Sequence, residues 1–188
     1  MKKMVLPQQI RLMGLLGGLM LLLAGCQNVS SEMKRVTFQQ DFSIEIPVYM
    51  EEISPLEEGV LAQYGHELYE HYVAIAREPA DLEVPGYSEM FIETYASLAQ
   101  ESMSMVLTDF DAKKVDLAVV ERNGMESVSY RVTGTLPHEI FGSIPIVYYI
   151  IYYKGTDYFY IVTSWTTKDR ENQFKKNMQT SIESFREL

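Results

Sequence analysis

Ile146-Val147-Tyr148-Tyr149-Ile150-Ile151-Tyr152-Tyr153, then Lys154-Gly155-Thr156-Asp157, then Tyr158-Phe159-Tyr160-Ile161-Val162-Thr163-Ser164-Trp165 is the stretch that decides the fold. Two runs rich in β-branched and aromatic residues flank a short polar turn, the pattern of a β-hairpin. Neither run alternates apolar with polar. Both faces are apolar, so this hairpin belongs at the centre of a sheet with cover on each side.

The hairpin's neighbours follow from it. Downstream, Thr167 is a candidate N-cap with Asp169 and Glu171 in the first turn. Phe174, Met178, Ile182, Phe185 and Leu188 then form one apolar stripe, so a closing helix docks on the sheet. Upstream, Val115 to Glu121 and Met125 to Leu136 form a second hairpin through Asn123-Gly124, a dipeptide suited to positive φ at both turn positions. Before that, Ser88 and Glu89 start a helix on which Phe91, Tyr95, Leu98, Ala99, Met103 and Val106 recur at three- and four-residue steps. Asp109-Phe110-Asp111 reads as the acidic loop ending it, with no glycine-centred calcium loop behind. Val60 to Tyr64 and Leu68 to Arg77 are two strands turning near Gly65, and Asp41-Phe42-Ser43-Ile44-Glu45-Ile46 alternates as a strand until Pro47. Glu51-Glu52 and Glu57-Glu58 are placed in loops. The expected order is β-β-β-α-β-β-β-β-α: an α+β domain, an antiparallel sheet built from hairpins with helices packed on it.

The start of the chain is of another kind. Lys2, Lys3 and Arg11 precede an uncharged run of 14 residues from Leu12 to Gly25, short of the roughly 20 needed to span a bilayer. A basic start, a short apolar middle and small residues at the end make a signal peptide. Leu23-Ala24-Gly25-Cys26 resembles the lipobox of bacterial lipoproteins, and Cys26 is the chain's one cysteine. The resemblance implies that the Cys26 sulfur accepts a diacylglyceryl group and that the leader is cut before it. Two or more acyl chains such as palmitate, at about 0.8 kcal/mol per buried methylene, give stable anchoring. The division expected is 1–25 leader, 26–35 tether and 36–188 domain. Gln27, where an aspartate would be the familiar inner-membrane retention signal, favours the outer membrane if the cell has two.

Charge narrows the partners. The chain carries 16 Lys and Arg against 26 Asp and Glu, and removing a leader with three basic residues and no acid takes its formal charge from −10 to −13. Such a body repels nucleic-acid phosphates and anionic headgroups, so membrane contact falls to the lipid. The 163 residues from Cys26 to Leu188 suit one domain that needs no disulfide.

The remaining motifs carry no chemistry. His66-Glu67-Leu68-Tyr69-Glu70-His71 departs from His-Glu-x-x-His, since the second imidazole comes one residue late. Read as one strand, it sends His66 and His71 to opposite faces, and His138 is the only other histidine. Gly142-Ser143 lies in a loop before a strand, without the strand-to-helix elbow of a nucleophilic serine. No glycine-rich phosphate loop occurs. Trp165 and the tyrosines suit sheet packing, with ring stacking on a ligand as the alternative. No catalytic residue, metal or cofactor is expected.

With Phe42-Ser43-Ile44-Glu45-Ile46-Pro47 near the start, the mid-chain helix, the paired hairpins ending in Tyr158 to Trp165 and a closing helix through Ser184-Phe185, residues 36–188 resemble the PsbP-like domain group. The DcrB-type bacterial lipoproteins belong to it. The resemblance implies an α-β-α sandwich acting as a binding or assembly accessory in the cell envelope, with an envelope protein as partner. A groove for a small ligand between the sheet and the Phe91-to-Val106 helix is the alternative, and a hydrolase or metalloenzyme comes third.

Overall fold

A computed structural model describes residues 30–55, 59–80, 90–138 and 142–188. Leu23, Ala24, Gly25 and Cys26, with the rest of the leader, lie outside the described residues, as do Glu57, Glu58, Ser88 and Glu89.

The central hairpin is β9 (Gly142–Lys154) and β10 (Tyr158–Thr167), paired antiparallel from Phe159 opposite Lys154 to Thr167 opposite Ile146. It sits in the middle of an eight-stranded antiparallel sheet. The outer strands are β3 (Glu51–Glu52), β4 (Val60–His66) and β5 (His71–Pro79) on one side. On the other are β8 (Met125–His138) and then β6 (Thr108–Lys114), with β7 (Val120–Arg122) also paired on β8. The strand order is β3-β4-β5-β10-β9-β8-β6. Side chains along a strand alternate in direction, so the all-apolar β9 feeds two cores. Val147, Tyr149, Ile151 and Tyr153 enter one, and Ile146, Ile150 and Tyr152 enter the other.

Helix α1 (Ile92–Val106) covers the second core through Ile92, Tyr95 and Ala96. Helix α2 (Glu171–Glu183) covers the first through Phe174, Met178 and Ile182, lying against β9, β10 and the strand Phe42–Pro47. A three-stranded sheet of β1 (Met33–Phe38), β2 (Phe42–Pro47) and β11 (Arg186–Glu187) closes that side, with Phe42, Ile44 and Ile46 fully buried. The architecture is the expected antiparallel sheet with helices on it, an α-β-α sandwich.

Several local expectations are corrected. Strand β1 starts at Met33, so Met33, Lys34 and Arg35, assigned to the tether, pair with Pro47, Ile46 and Glu45. The first hairpin turns through a 3-10 turn at Glu67–Tyr69 with Glu70 in the left-handed region, φ 48°, and not at Gly65. Gly65 stays in the strand because the Tyr72 ring lies over it, where a Cβ would come within 2.4 Å of that ring. Asp109-Phe110-Asp111 belongs to β6 and not to a loop; its charges mark an exposed edge strand, and the irregular register at Thr108 to Asp111 hides the alternation. The strand expected over Val115 to Glu121 shrinks to β7. Ser143 lies in β9 opposite Pro137 rather than in a loop.

Both helices are rotated or trimmed from their expected stripes. On α1, Phe91, Leu98 and Val106 are exposed, and Ile92 and Ala96 take the core positions. At α2, the Thr167 hydroxyl reaches Glu70 instead of capping the helix, and Leu188 is exposed.

Candidate functional site

At one end of the large sheet three turns, the end of β5 and the last strand meet around a polar basin of about 600 Å3. The β1–β2 turn brings Gln40 and Asp41, the end of β5 brings Arg77, the β7–β8 turn brings Asn123, and the β9–β10 turn brings Lys154 to Asp157. Strand β11 adds Glu187. A second hollow of about 370 Å3 shares Lys154 to Tyr158 and extends to Pro79 and Ala80.

The local sequence explains why these turns hold still. Gln39 and Gln40 are both left-handed, φ 46° and 64°, and the Asp41 N–H donates to the Phe38 carbonyl at 2.8 Å. Asn123, φ 53°, and Gly124, φ 86°, make the turn expected of Asn-Gly. The Asn123 amide then donates to the Glu183 and Phe185 carbonyls at 3.1 and 2.8 Å, holding the chain as it leaves α2.

The polar groups of the basin are partnered in a fixed order. Arg77 Nη1 donates to Asp41 Oδ2 at 3.0 Å while its guanidinium lies 4.2 Å from the centre of the Tyr158 ring. Tyr160 donates its hydroxyl to Glu187 Oε1 at 2.7 Å, and the Thr156 N–H donates to Glu187 Oε2 at 3.2 Å. Burial, reinforced by the Glu187 carboxylate, raises the Tyr160 phenol well above its ordinary pKa, so it stays a donor. The Lys154 ammonium is held at the rim by the Met90 carbonyl, 3.1 Å away. A carboxylate has about four acceptor positions and a guanidinium five N–H groups, so this network orients Asp41, Glu187 and Arg77 and leaves capacity for a polar guest.

The histidine pair is where the structure departs most from the sequence reading. His66 ends β4 and His71 begins β5, and they are register partners across the hairpin, so they do not point to opposite faces. They share the Tyr49 ring as a neighbour and differ in the rest. His66 stacks on Tyr69 with ring centroids 4.3 Å apart. His71 is fully buried between Tyr49 and Ser164, with Nδ1 2.7 Å from the Tyr49 hydroxyl and Nε2 3.1 Å from Ser164 Oγ. Ser164 donates its own proton to the Tyr72 carbonyl at 2.9 Å. It therefore accepts from His71 Nε2–H, which leaves Nδ1 to accept from Tyr49. Burial lowers the His71 pKa to about 3 and raises Tyr49 to about 12. This is a Ser–His contact with no route to a substrate: both residues are completely enclosed and the serine proton is already given away. Among the described residues no group of three His, Cys, Asp or Glu side chains is placed to hold a metal ion.

The other residues singled out from sequence have packing roles. Tyr95 of α1 stacks on Phe159 at 4.4 Å and meets Tyr152 edge-on, filling the helix–sheet contact where a groove was the alternative, and Met103 packs against the same core. Trp165 stacks between Tyr72 and Tyr148, its register partners on β5 and β10's other neighbour β9, at 5.3 and 5.9 Å. Sequence reasoning missed the basin and its Arg77, Tyr158, Tyr160 and Glu187. The early signs of it were the Asn123-Gly124 and Lys154-to-Asp157 turns.

No helix among the described residues is long and apolar enough to cross a membrane. No family model matches the chain, and no curated protein sequence does. Solved structures do. The solution structure of cyanobacterial PsbP (CyanoP) from Synechocystis aligns with a TM-score of 0.55 at 9% identity, covering 89% of this chain and 99% of that one. A crystal structure from Bacteroides thetaiotaomicron aligns with a TM-score of 0.51 at 10% identity over 82% of this chain and 48% of that one. LpqN of Mycobacterium tuberculosis, described as involved in cell envelope biogenesis, gives 0.45 at 7% identity over 82% and 90%. At these identities the likeness is one of fold, and the fold is PsbP-like.

Proposed function

We propose that this chain is a lipid-anchored, extracytoplasmic accessory that binds a partner in the cell envelope and catalyses nothing. Its basin receives a polar group of that partner. The observation that carries this reading is the contrast between two polar clusters. The basin is open and its groups are oriented by mutual hydrogen bonds, whereas the Ser164–His71 contact is sealed within the core. Preorganised polar groups at an open surface favour recognition, because little ordering remains to be done on binding. The lipobox-like Leu23-Ala24-Gly25-Cys26 supports anchoring through Cys26, and Gln27 favours the outer membrane of a two-membrane cell. The acidic balance of the body argues against nucleic acid as the partner.

The test has two arms. Labelled palmitate should enter the wild-type chain and not Cys26→Ala. Gentle purification from native membranes should recover the same partner with wild type and lose it with Arg77→Ala; equal recovery with both would reject the basin as the site.

A second reading, a small-ligand-binding lipoprotein, is favoured by the basin's volume, within the range of roughly 300–1,000 Å3 usual for small-molecule sites. A ligand screen by thermal shift, repeated on Arg77→Ala, distinguishes the two.

A further inference from the structure

The segment between β6 and β7 has the least expected surface in the molecule. Val115, Leu117, Val119 and Val120 are four of the ten large hydrophobic side chains exposed among the described residues, and Leu117 is wholly in solvent. A short apolar loop would ordinarily fold back or move. This one is pinned by a polar network at its base. Asp116 accepts two hydrogen bonds at 2.9 Å from Arg122 and two from Ser129, from the backbone N–H at 3.1 Å and the hydroxyl at 2.6 Å. Arg122 also reaches Ser127 at 2.9 Å, and the Val115 N–H donates to the Ser129 carbonyl. Lys114, at the loop's start, is tied to Glu93 of α1 at 2.6 Å. The network rigidifies a loop whose tip contributes nothing to either core.

Beside it stands a charge arrangement unfavourable in the isolated chain. Glu121 and Glu126 are direct cross-strand partners, both exposed, and neither forms an ion pair among the described residues. Like charges directly opposite on a sheet repel. Lys154, in register with Glu126 on β9, gives its ammonium to the Met90 carbonyl instead.

We infer that Leu117 and its valines form a preformed knob for a protein partner, entering an apolar pocket whose rim carries Lys or Arg opposite Glu121 and Glu126. A fixed apolar tip loses little entropy on docking, and a basic rim relieves the repulsion of the glutamate pair. An anionic bilayer would be repelled by the same pair. None of Leu117, Glu121 and Glu126 lines the basin, although Lys154 and the β7–β8 turn border both, and the inference does not depend on the basin's function.

The test is photo-crosslinking in the native cells from the full chain. A photoreactive phenylalanine replaces Leu117 in one strain and Leu68, also exposed, in a second. The expected result is one identified envelope protein crosslinked from position 117 and not from 68. Its yield should fall at least tenfold in Glu121→Lys/Glu126→Lys and return when the facing Lys or Arg of that protein is changed to Glu. The double reversal keeps positions 121 and 126 like-charged but sets position 126 against Lys154, so a cooperative unfolding transition of the variant is recorded alongside to show that the fold survives. Crosslinks only to lipid or to a second copy, equal yields from both positions, or indifference to charge reversal would each overturn the inference.

Discussion

The carboxylate of Glu187 lies against the place where a side chain on Gly155 would begin. A Cβ at Gly155 would lie 2.8 Å from Glu187 Oε2 and 2.8 Å from the Tyr160 ring. The glycine therefore supplies space, and that space lets one carboxylate bridge the Tyr160 hydroxyl and the Thr156 N–H across the mouth of the basin. Gly155→Ala should push Glu187 aside and press on the buried Tyr160 ring, costing about 1–3 kcal/mol, in the range of overpacking. In a Glu187→Ala background the same change should cost distinctly less, a coupling that urea unfolding of the four proteins measures. Equal costs in both backgrounds would show that Glu187 is not what the glycine accommodates.

Asn123 does two things that substitution can separate. Its backbone takes the left-handed turn conformation, and its amide holds the Glu183 and Phe185 carbonyls. Asn123→Gly keeps the turn and removes the amide. It should cost about 1–2 kcal/mol, the usual worth of one or two hydrogen bonds, and should loosen β11. Amide exchange at Arg186 and Glu187 rising along with the stability loss is the expected sign; unchanged exchange would contradict it.

Stability should fall on acidification before any carboxylate is protonated. His71 titrates near 6.5 when unfolded, and burial, which penalises its charge, lowers that to about 3 in the folded chain. Between those values the unfolded chain binds a proton that the folded chain refuses. The effect is nil above pH 6.5 and grows as pH falls, by up to about 1.4 kcal/mol per unit. Glu171 and Asp116 act in a lower window. Arg131 holds Glu171 below its ordinary 4.5, and hydrogen bonds from Arg122 and Ser129 outweigh the opposing burial of Asp116 to hold it below 3.8. Their stabilisation is present above those values and is lost as pH drops through the folded ones. Urea unfolding from pH 7 to 5 should show the slope in wild type and its flattening in His71→Gln; an equal slope in both would refute the assignment.

The Glu171 contact makes a fourth prediction. Arg131 grips both oxygens of Glu171 at 2.6 Å and the Tyr149 hydroxyl adds a third bond at 2.8 Å, fastening the first turn of α2 to β8 and β9. Glu171→Ala strands a half-buried guanidinium and should cost about 1–3 kcal/mol. Arg131→Met/Glu171→Ala should recover part of that, since both partners are then gone. A double variant less stable than Glu171→Ala would contradict the account.

What the sequence made legible was whatever depended on neighbours in the chain. The two-faced apolar runs of β9 and β10, the Asn123-Gly124 turn and the Phe174, Met178, Ile182 stripe each announce themselves within about a dozen residues. Edge strands do not. Strand β6 carries Asp109, Asp111, Lys113 and Lys114 because an edge is protected by charge, and that erases the pattern that would reveal it. The turn at Glu67–Glu70 lacks a glycine, and the nearby glycine serves Tyr72 instead. The basin was invisible for a different reason: Arg77 meets Asp41 and Glu187 meets Thr156 across 36 and 31 residues, contacts set by strand order alone.

The proposed anchoring, a body held at a bilayer through lipidated Cys26, is tested directly by mass spectrometry of the native protein. The expected result is an N-terminal peptide beginning at Cys26 that carries a diacylglyceryl mass on sulfur. A peptide spanning Leu23 to Gln27 intact, with an unmodified thiol, would contradict it.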